Sequence, residues 1–277
     1  MYIFMKKLFY LILFFTLSAC ASLAENIKFV QVTDAHLSLK SDFSVRVLES
    51  AVEDINKQQD IAFVVFDGDN INEPKSEDLR KFVSIVKKLN VPYYIVVGNH
   101  DVYKSNNMSK VRYYEIIREN NILFPQRSAN YKFTKNGFIF LTLDGAKEVI
   151  PGSTGYYKEK TLAWLDKTLT KNEKKPVVIF QHFPIEYPSN GVEKRIKTTK
   201  TYRAEDYQKV LDKHHNVLAI ISGHFHVNYE TMKDGVYHIS SPSLLGMPNS
   251  YKIIDIVTTP DFSPIIYTQL REFDVKD

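Results

Sequence analysis

The sequence predicts an α/β fold in four layers, two mixed sheets packed face to face with helices on both outer sides. Three observations carry this. Short apolar runs rich in Val, Ile and aromatics alternate with segments of helical periodicity. Five of those runs end, without a spacer, in Asp, Asn and His. From Asn228 onward the alternation gives way to antiparallel hairpin signals.

The first element is a leader. Lys6 and Lys7 precede the apolar run Leu8–Leu17, and the small residues Ser18, Ala19, Cys20, Ala21 and Ser22 follow. That is the layout of a basic n-region, a short h-region and a cleavage zone. Residues 1–19 are read as a signal peptide and residues 20–277 as one domain. Leu17-Ser18-Ala19-Cys20 resembles a bacterial lipoprotein signal, in which the Cys becomes the lipid-carrying mature terminus. Cys20 is the only cysteine, so no disulfide forms within the chain, and an odd thiol in an exported protein needs a purpose. Two other readings of the leader stay open. Ser22-Leu23-Ala24 offers a site to an ordinary signal peptidase. The uncharged stretch Leu8–Ala24, 17 residues, is at the lower limit for a spanning helix. In all three the lysines favour the inner side, so the domain is expected outside the cytoplasm, in the cell envelope.

The five runs follow. They are IKFVQVTDAH (Asp34, His36), IAFVVFDGDN (Asp69, Asn70), YYIVVGNHD (Asn99, His100, Asp101), VVIFQH (His182) and LAIISGHFH (His224, His226). Each has the length of a buried strand. Between them, Phe43–Gln58, Ser76–Leu89, Lys110–Asn120, Lys158–Leu169 and Glu205–Lys213 carry helical spacing, with Asp42 and Ser44 as candidate caps of the first. Asn136-Gly137 and Asp234-Gly235 predict hairpins, 128–135 with 138–143 and 229–233 with 236–240. Tyr251–Val257 and Ile265–Leu270 are the last candidate strands. Residues 183–203 are the longest stretch without a period. Their basic set, Lys194, Arg195, Lys197, Lys200 and Arg203, suits either an anionic substrate or plain solvation.

Length and composition bound the rest. The chain has 277 residues, 44% hydrophobic and 13% aromatic, enough for one large domain. With Lys6 and Lys7 removed, 34 basic residues face 32 acidic ones, so no whole-protein charge argues for nucleic acid as a partner. There is no G-x-S-x-G elbow, no phosphate-binding Gly-rich loop, and no C-x-x-C pattern. Oligomeric state is not legible.

In open α/β sheets, chemistry sits outside the carboxyl ends of the strands. Five of the eight histidines stand at the ends of these runs. Singly, each motif is weak; a lone strand-end His is usually a hydrogen-bonded turn residue. As an ordered set, D-x-H, G-D-N, G-N-H-D, H and G-H-x-H resemble the calcineurin-like metallophosphoesterase superfamily over roughly residues 27–245.

The resemblance implies two divalent or mixed-valence transition metal ions (Zn, Mn, Fe or Co) and a phosphate-ester substrate. Metals about 3.5–4 Å apart activate a bridging water and clamp the attacking and leaving oxygens. By resemblance Asp69 bridges them. Asp34, His36 and His226 complete one site, and Asn99, His182 and His224 the other. His100 is the non-ligand histidine that protonates or stabilises the leaving oxygen, and Asp101 is a candidate to orient it. If Gly223–His226 is extended, His224 and His226 face one cleft and Phe225 the other way. After G-D-N the chain reads Ile71-Asn72-Glu73 and not Arg-Gly, which departs from the Ser/Thr protein phosphatases. G-N-H-D, residues 155–169 and Gln181-His182-Phe183-Pro184 look more like the cyclic-nucleotide and glycerophosphodiester phosphodiesterases. A phosphomonoesterase of this fold is the alternative. A non-catalytic binding protein on the fold is the rival from another class, and retention of all eight ligand and catalytic positions argues against it. His214, His215 and His238 fit no motif.

Overall fold

The computed structural model describes residues 25–122, 124–187, 200–259 and 262–276. The leader with Cys20, and Lys194, Arg195 and Lys197, lie outside them. The first half runs β1 (Ile27–Val32), α1 (Asp42–Ile55), β2 (Ile61–Asp67), α2 (Ser76–Val86), β3 (Tyr93–Val96), α3 (Lys110–Asn120), β4 (Tyr131–Lys135) and β5 (Phe138–Leu143). The second half runs α4 (Glu159–Lys171), β6 (Val177–Gln181), α5 (Ala204–Leu211), β7 (Val217–Ser222), β8 (Tyr229–Lys233), β9 (Val236–Ser240), β10 (Ser250–Thr259) and β11 (Phe262–Glu272).

The strands form two mixed sheets. One has the order β11-β10-β1-β2-β3, parallel from β1 to β3 and antiparallel through β10 and β11. The other has the order β4-β5-β6-β7-β9-β8, parallel from β5 to β9 with an antiparallel strand at each edge.

The apolar runs are nearly continuous because the central strands are buried on both faces. On β1, Phe29 points to the other sheet and Val30 to the helices; on β2, Phe63 and Val64 divide in the same way. Between the sheets Phe29 stacks on Phe63 at 4.8 Å and meets Phe140 and Phe180 edge-on at 5.7 and 5.6 Å. Such aromatic geometry adds about 0.5–1.5 kcal/mol per pair beyond burial. The helices cover the outer faces, with Val47, Leu48 and Ala51 of α1 and Leu79, Phe82 and Val83 of α2 fully buried. The cap of α1 is one residue earlier than expected. Ser41 has extended backbone and its side chain accepts from Ser44 N at 3.3 Å, where Asp42 already lies within the helix. No helix among the described residues is long and apolar enough to cross a membrane.

Candidate metal centre

The catalytic edge is built where β1 and β2 stop pairing as strands but their loops stay knitted. Asp34 N donates to Gly68 O (3.0 Å), His36 N to Asp69 O (2.9 Å) and Leu37 N to Asn70 O (3.1 Å). The chain turns through left-handed residues here. φ is +53° at Asp34, +40° at His36 and +50° at Asp69, and across the cleft +70° at His224 and +56° at His226. Each such non-glycine residue costs roughly 1–2 kcal/mol, so strain is concentrated on five of the expected ligands. Residues 223–226 are therefore not extended, as the sequence reading supposed. Two left-handed histidines divide the work: His224 joins Asp69 and His182, while His226 joins Asp34 and His36. Phe225 still leaves the cleft, packing at 5.5 Å from Tyr187. Glycines let the loops close in. A Cβ on Gly98 would overlap the Asp69 carboxylate, and one on Gly223 the Thr33 hydroxyl.

Within each cluster the donor atoms lie within 4.8 Å of one another. His226 Nε2 is 3.1 Å from Asp34 Oδ1 and 3.4 Å from His36 Nε2. His36 Nε2 is 3.8 Å from Asp34 Oδ1 and 4.0 Å from Asp69 Oδ2. His182 Nε2 is 3.2 Å from Asp69 Oδ2 and 3.9 Å from Asp34 Oδ1. Asp34 is held for this task, its Oδ2 accepting from Thr33 Oγ1 (2.7 Å) and His224 N (2.9 Å). That leaves Oδ1 facing the imidazoles.

Hydrogen bonding sets the tautomer of His182. Its Nδ1 lies 2.8 Å from the Asp67 carbonyl, which only accepts, so Nδ1 carries the hydrogen and Nε2 faces the cleft. A nitrogen lone pair against the Asp69 carboxylate needs a proton or a cation between them. The charges respond accordingly. Burial alone would push Asp34 and Asp69 up, but His182 foremost, helped by His226 at Asp34 and by His36 at Asp69, holds both below the ordinary carboxylate range. Burial opposes charge on His182 as well, and Asp69 and Asp34 overcome it to raise that pKa to about 10. His224 goes the other way, to about 4, through burial and then repulsion from His182.

The donors fit metal ions. Asn99 Oδ1, His182 Nε2 and His224 Nε2, the set expected around one ion with Asp69, are each buried without a hydrogen-bond partner. An unsatisfied buried polar atom costs about 1–3 kcal/mol, a cost that coordination to a cation would relieve. Two carboxylates, an amide oxygen and four imidazoles without thiolate suit borderline first-row transition metals.

His100 Nδ1 lies 2.7 Å from the Asn72 carbonyl, so its Nε2 is the atom free to exchange a proton. Its backbone N donates to Asp69 Oδ1 at 2.9 Å. The ring also groups with His36 and Asp69 within 4.8 Å. Orientation of His100 therefore falls to the Asn72 carbonyl and not to Asp101. Asp101 is fully buried and accepts from Gly98 N (2.8 Å), Asn70 N (2.9 Å), Ile71 N (3.1 Å) and Asn70 Nδ2 (3.1 Å). It braces the loops after β2 and β3; burial, then Asp69, raises its pKa to about 7. Asn70 also reaches Val96 O and Tyr113 Oη, at 2.9 and 3.1 Å.

Two participants escaped the sequence reading. Asp67 sits buried in the second apolar run; its Oδ2 accepts from Gln31 Nε2 at 2.7 Å, and its carbonyl orients His182. Asn72 acts through its backbone, which leaves no sequence signal. Tyr103, one of 17 tyrosines, lines a cavity of about 410 Å³ with Asn72, Asn99, His100, Asn106 and Ser153. A cavity of about 420 Å³ between α1 and the C-terminal residues lies apart from this edge, and its charges pair among themselves, Arg271 with Asp54 and Lys276 with Glu53. Of the histidines outside the motifs, His214 pairs with Asp166 at 2.7 Å and His238 is buried within β9.

Residues 27–228 match the family described as "Calcineurin-like phosphoesterase". The chain belongs to that family. Among relatives of this phosphoesterase is an Arcobacter nitrofigilis protein named "Probable glycerophosphodiester phosphodiesterase GpdQ". It is 30% identical over 212 residues, covering 71% of this chain and 71% of that one. The 3′,5′-cyclic adenosine monophosphate phosphodiesterase of Haemophilus influenzae is 22% identical over 226 residues, 78% of this chain and 76% of that one. A dimetal phosphatase from Danio rerio shares the fold, with a TM-score of 0.66 at 19% identity over 89% of this chain and 96% of that one.

Proposed function

We propose that this phosphoesterase is a dinuclear hydrolase of phosphodiesters. The observation that carries the reading is that Asp69 is shared by two donor groups, one with His182 and His224 and one with His36 and His100, that His36 in turn groups with Asp34 and His226, and that His100 lines the adjoining cavity. Asp69 would serve both ions, with Asp34, His36 and His226 for one and Asn99, His182 and His224 for the other. When bound, the ions would supply an activated water and stabilise charge on the phosphoryl oxygens. The protein supplies position: the Asn72 carbonyl holds the His100 ring, and His100 delivers a proton to the departing alcohol.

Charge favours diesters. Among the described residues the ion-pair partners of Asp34 and Asp69 within 4.0 Å are all histidines, with no Lys or Arg. A diester brings one negative charge where a monoester brings about two, so a centre without further cations suits the diester. The test assays nitrophenyl mono- and bis-esters at equal metal loading. The diester is expected to have the higher kcat/KM. A monoester preference of about tenfold, roughly 1.4 kcal/mol in the barrier, overturns the reading.

Export with a lipid on Cys20 belongs to the same proposal. Glu25 N donates to Asn136 O at the turn before β5, so residue 25 lies at the end of β1 away from Asp34. The six residues of β1 span about 20 Å. A lipid on Cys20 would therefore join the domain on the side of β1 opposite Asp34. Cys20→Ser is expected to release the protein or leave it unprocessed. An unmodified mature terminus at Glu25 by mass spectrometry overturns lipidation in favour of ordinary export.

A further inference from the structure

The geometry points to Lys147 as the residue that selects substrates carrying a second anionic group on the alcohol beyond the scissile phosphate; this rests on the phosphodiesterase reading above. The loop between β5 and α4 supplies Pro151, Gly152 and Ser153 to the wall of the cavity beside His100. The amine of Lys147 stands 3.9 Å from the point a Cβ on Gly152 would occupy.

Among the described residues Lys147, like the exposed Lys104, has no ion-pair partner, whereas Lys40, Lys75 and Lys110 each have one. Lys40 and Lys75 both pair with Glu73, the one carboxylate in the cavity wall. Lys110 pairs with Asp144 at 2.6 Å. With Glu73 answered by two lysines, Lys147 is the half-buried lysine next to the cavity wall whose charge no carboxylate offsets among the described residues. The remaining polar wall, Asn72, Tyr103, Asn106 and Ser153, is neutral and suited to a hydroxylated alcohol.

The position of Lys147 is prepared, not incidental. Its two neighbours are tied down: Ala146 O accepts from Lys110 Nζ (2.6 Å) and Glu148 O from Lys104 N (2.7 Å). Glu148 Oε2 accepts from Lys110 N at the start of α3 (2.7 Å). On the cleft side the His224 ring meets the Ser153 backbone, joining the loop to the metal centre. A half-buried lysine on a loop fixed at both ends gives up less freedom on binding than one on a loose surface.

The test measures hydrolysis by the metal-loaded enzyme of two phosphodiesters that share one glycerol arm and differ in the other, glycerol against glycerate, followed by phosphorus NMR. Lys147→Ala is expected to raise KM for the glycerate diester about tenfold, the scale of a charge-assisted contact. The kcat for that substrate and both constants for the glycerol diester should stay within about twofold. Lys147→Arg is expected to keep the preference and Lys147→Glu to reverse it. Equal losses on both diesters would place Lys147 on the scissile phosphoryl group or in loop structure, and no change would leave it a solvated lysine; each overturns the inference while the phosphodiesterase reading stands. Failure of the wild-type enzyme, holding both metals, to cleave either diester defeats both.

Discussion

Asp69→Ala is expected to leave a folded protein that retains neither tightly bound metal and has lost at least about 10⁴-fold in turnover, because nucleophile activation and charge stabilisation go together. Asp69 belongs to both donor clusters that flank it, with His36 and His100 on one side and His182 and His224 on the other. Its removal takes a donor from each and leaves no anion between two cations a few ångströms apart, where like charges repel strongly. It also strands the His100 backbone N–H that Asp69 Oδ1 accepts. The fold should survive, because Asp69 lies in a loop beyond β2 and the phenylalanine layer between the sheets is untouched. His182→Ala and Asp34→Ala are the controls, each expected to weaken mainly one site. The measurement is elemental analysis after gel filtration, with circular dichroism to verify folding. Two metals retained in Asp69→Ala would refute its bridging role.

The fold was legible because the features that specify it are local. Strands buried on both faces must be apolar throughout, so the runs ending at Asp34, Asp69, Asn99, His182 and His224 declared themselves. Asn136-Gly137 and Asp234-Gly235 marked hairpins because both turns need positive φ, and the structure has +48° and +80°, then +50° and +81°. Pairing order is a different matter. β10 inserts between β1 and β11 although more than two hundred residues separate β10 from β1, and no local pattern encodes that distance.

The site divides in the same way. That Asp and His side chains would gather at one cleft could be read because they stand at the ends of apolar runs. Their conformation could not, since left-handed turns at His224 and His226 arise from packing against loops some 190 residues away, as in the contact between His226 and Asp34. Roles carried by backbone atoms were invisible for a simpler reason. Any residue at position 72 would present a carbonyl to His100. Asp101 was misjudged because adjacency in sequence suggested a partnership, whereas its carboxylate turns inward to three backbone N–H groups.

His100→Ala is expected to keep metal content near two per chain while kcat falls by roughly 10²–10⁴-fold, the range for lost general acid help. Metal retention follows from the backbone. The hydrogen bond that braces Asp69 comes from the His100 main-chain N, which alanine preserves. The loss in kcat follows from the ring. With Nδ1 committed to the Asn72 carbonyl, Nε2 is the atom that can give a proton to an alcohol seated in the cavity. A leaving group that needs no proton should therefore be spared, so the defect should be much smaller for a nitrophenyl ester than for an alkyl ester. The opposite assignment makes a different forecast. His100 stands within 4.8 Å of His36 and Asp69, close enough to serve as a ligand. If it does, His100→Ala loses metal, and excess metal restores activity on both esters alike. Metal content measured alongside the ratio of alkyl to nitrophenyl turnover separates the two, because a proton donor moves the ratio and a ligand moves the content.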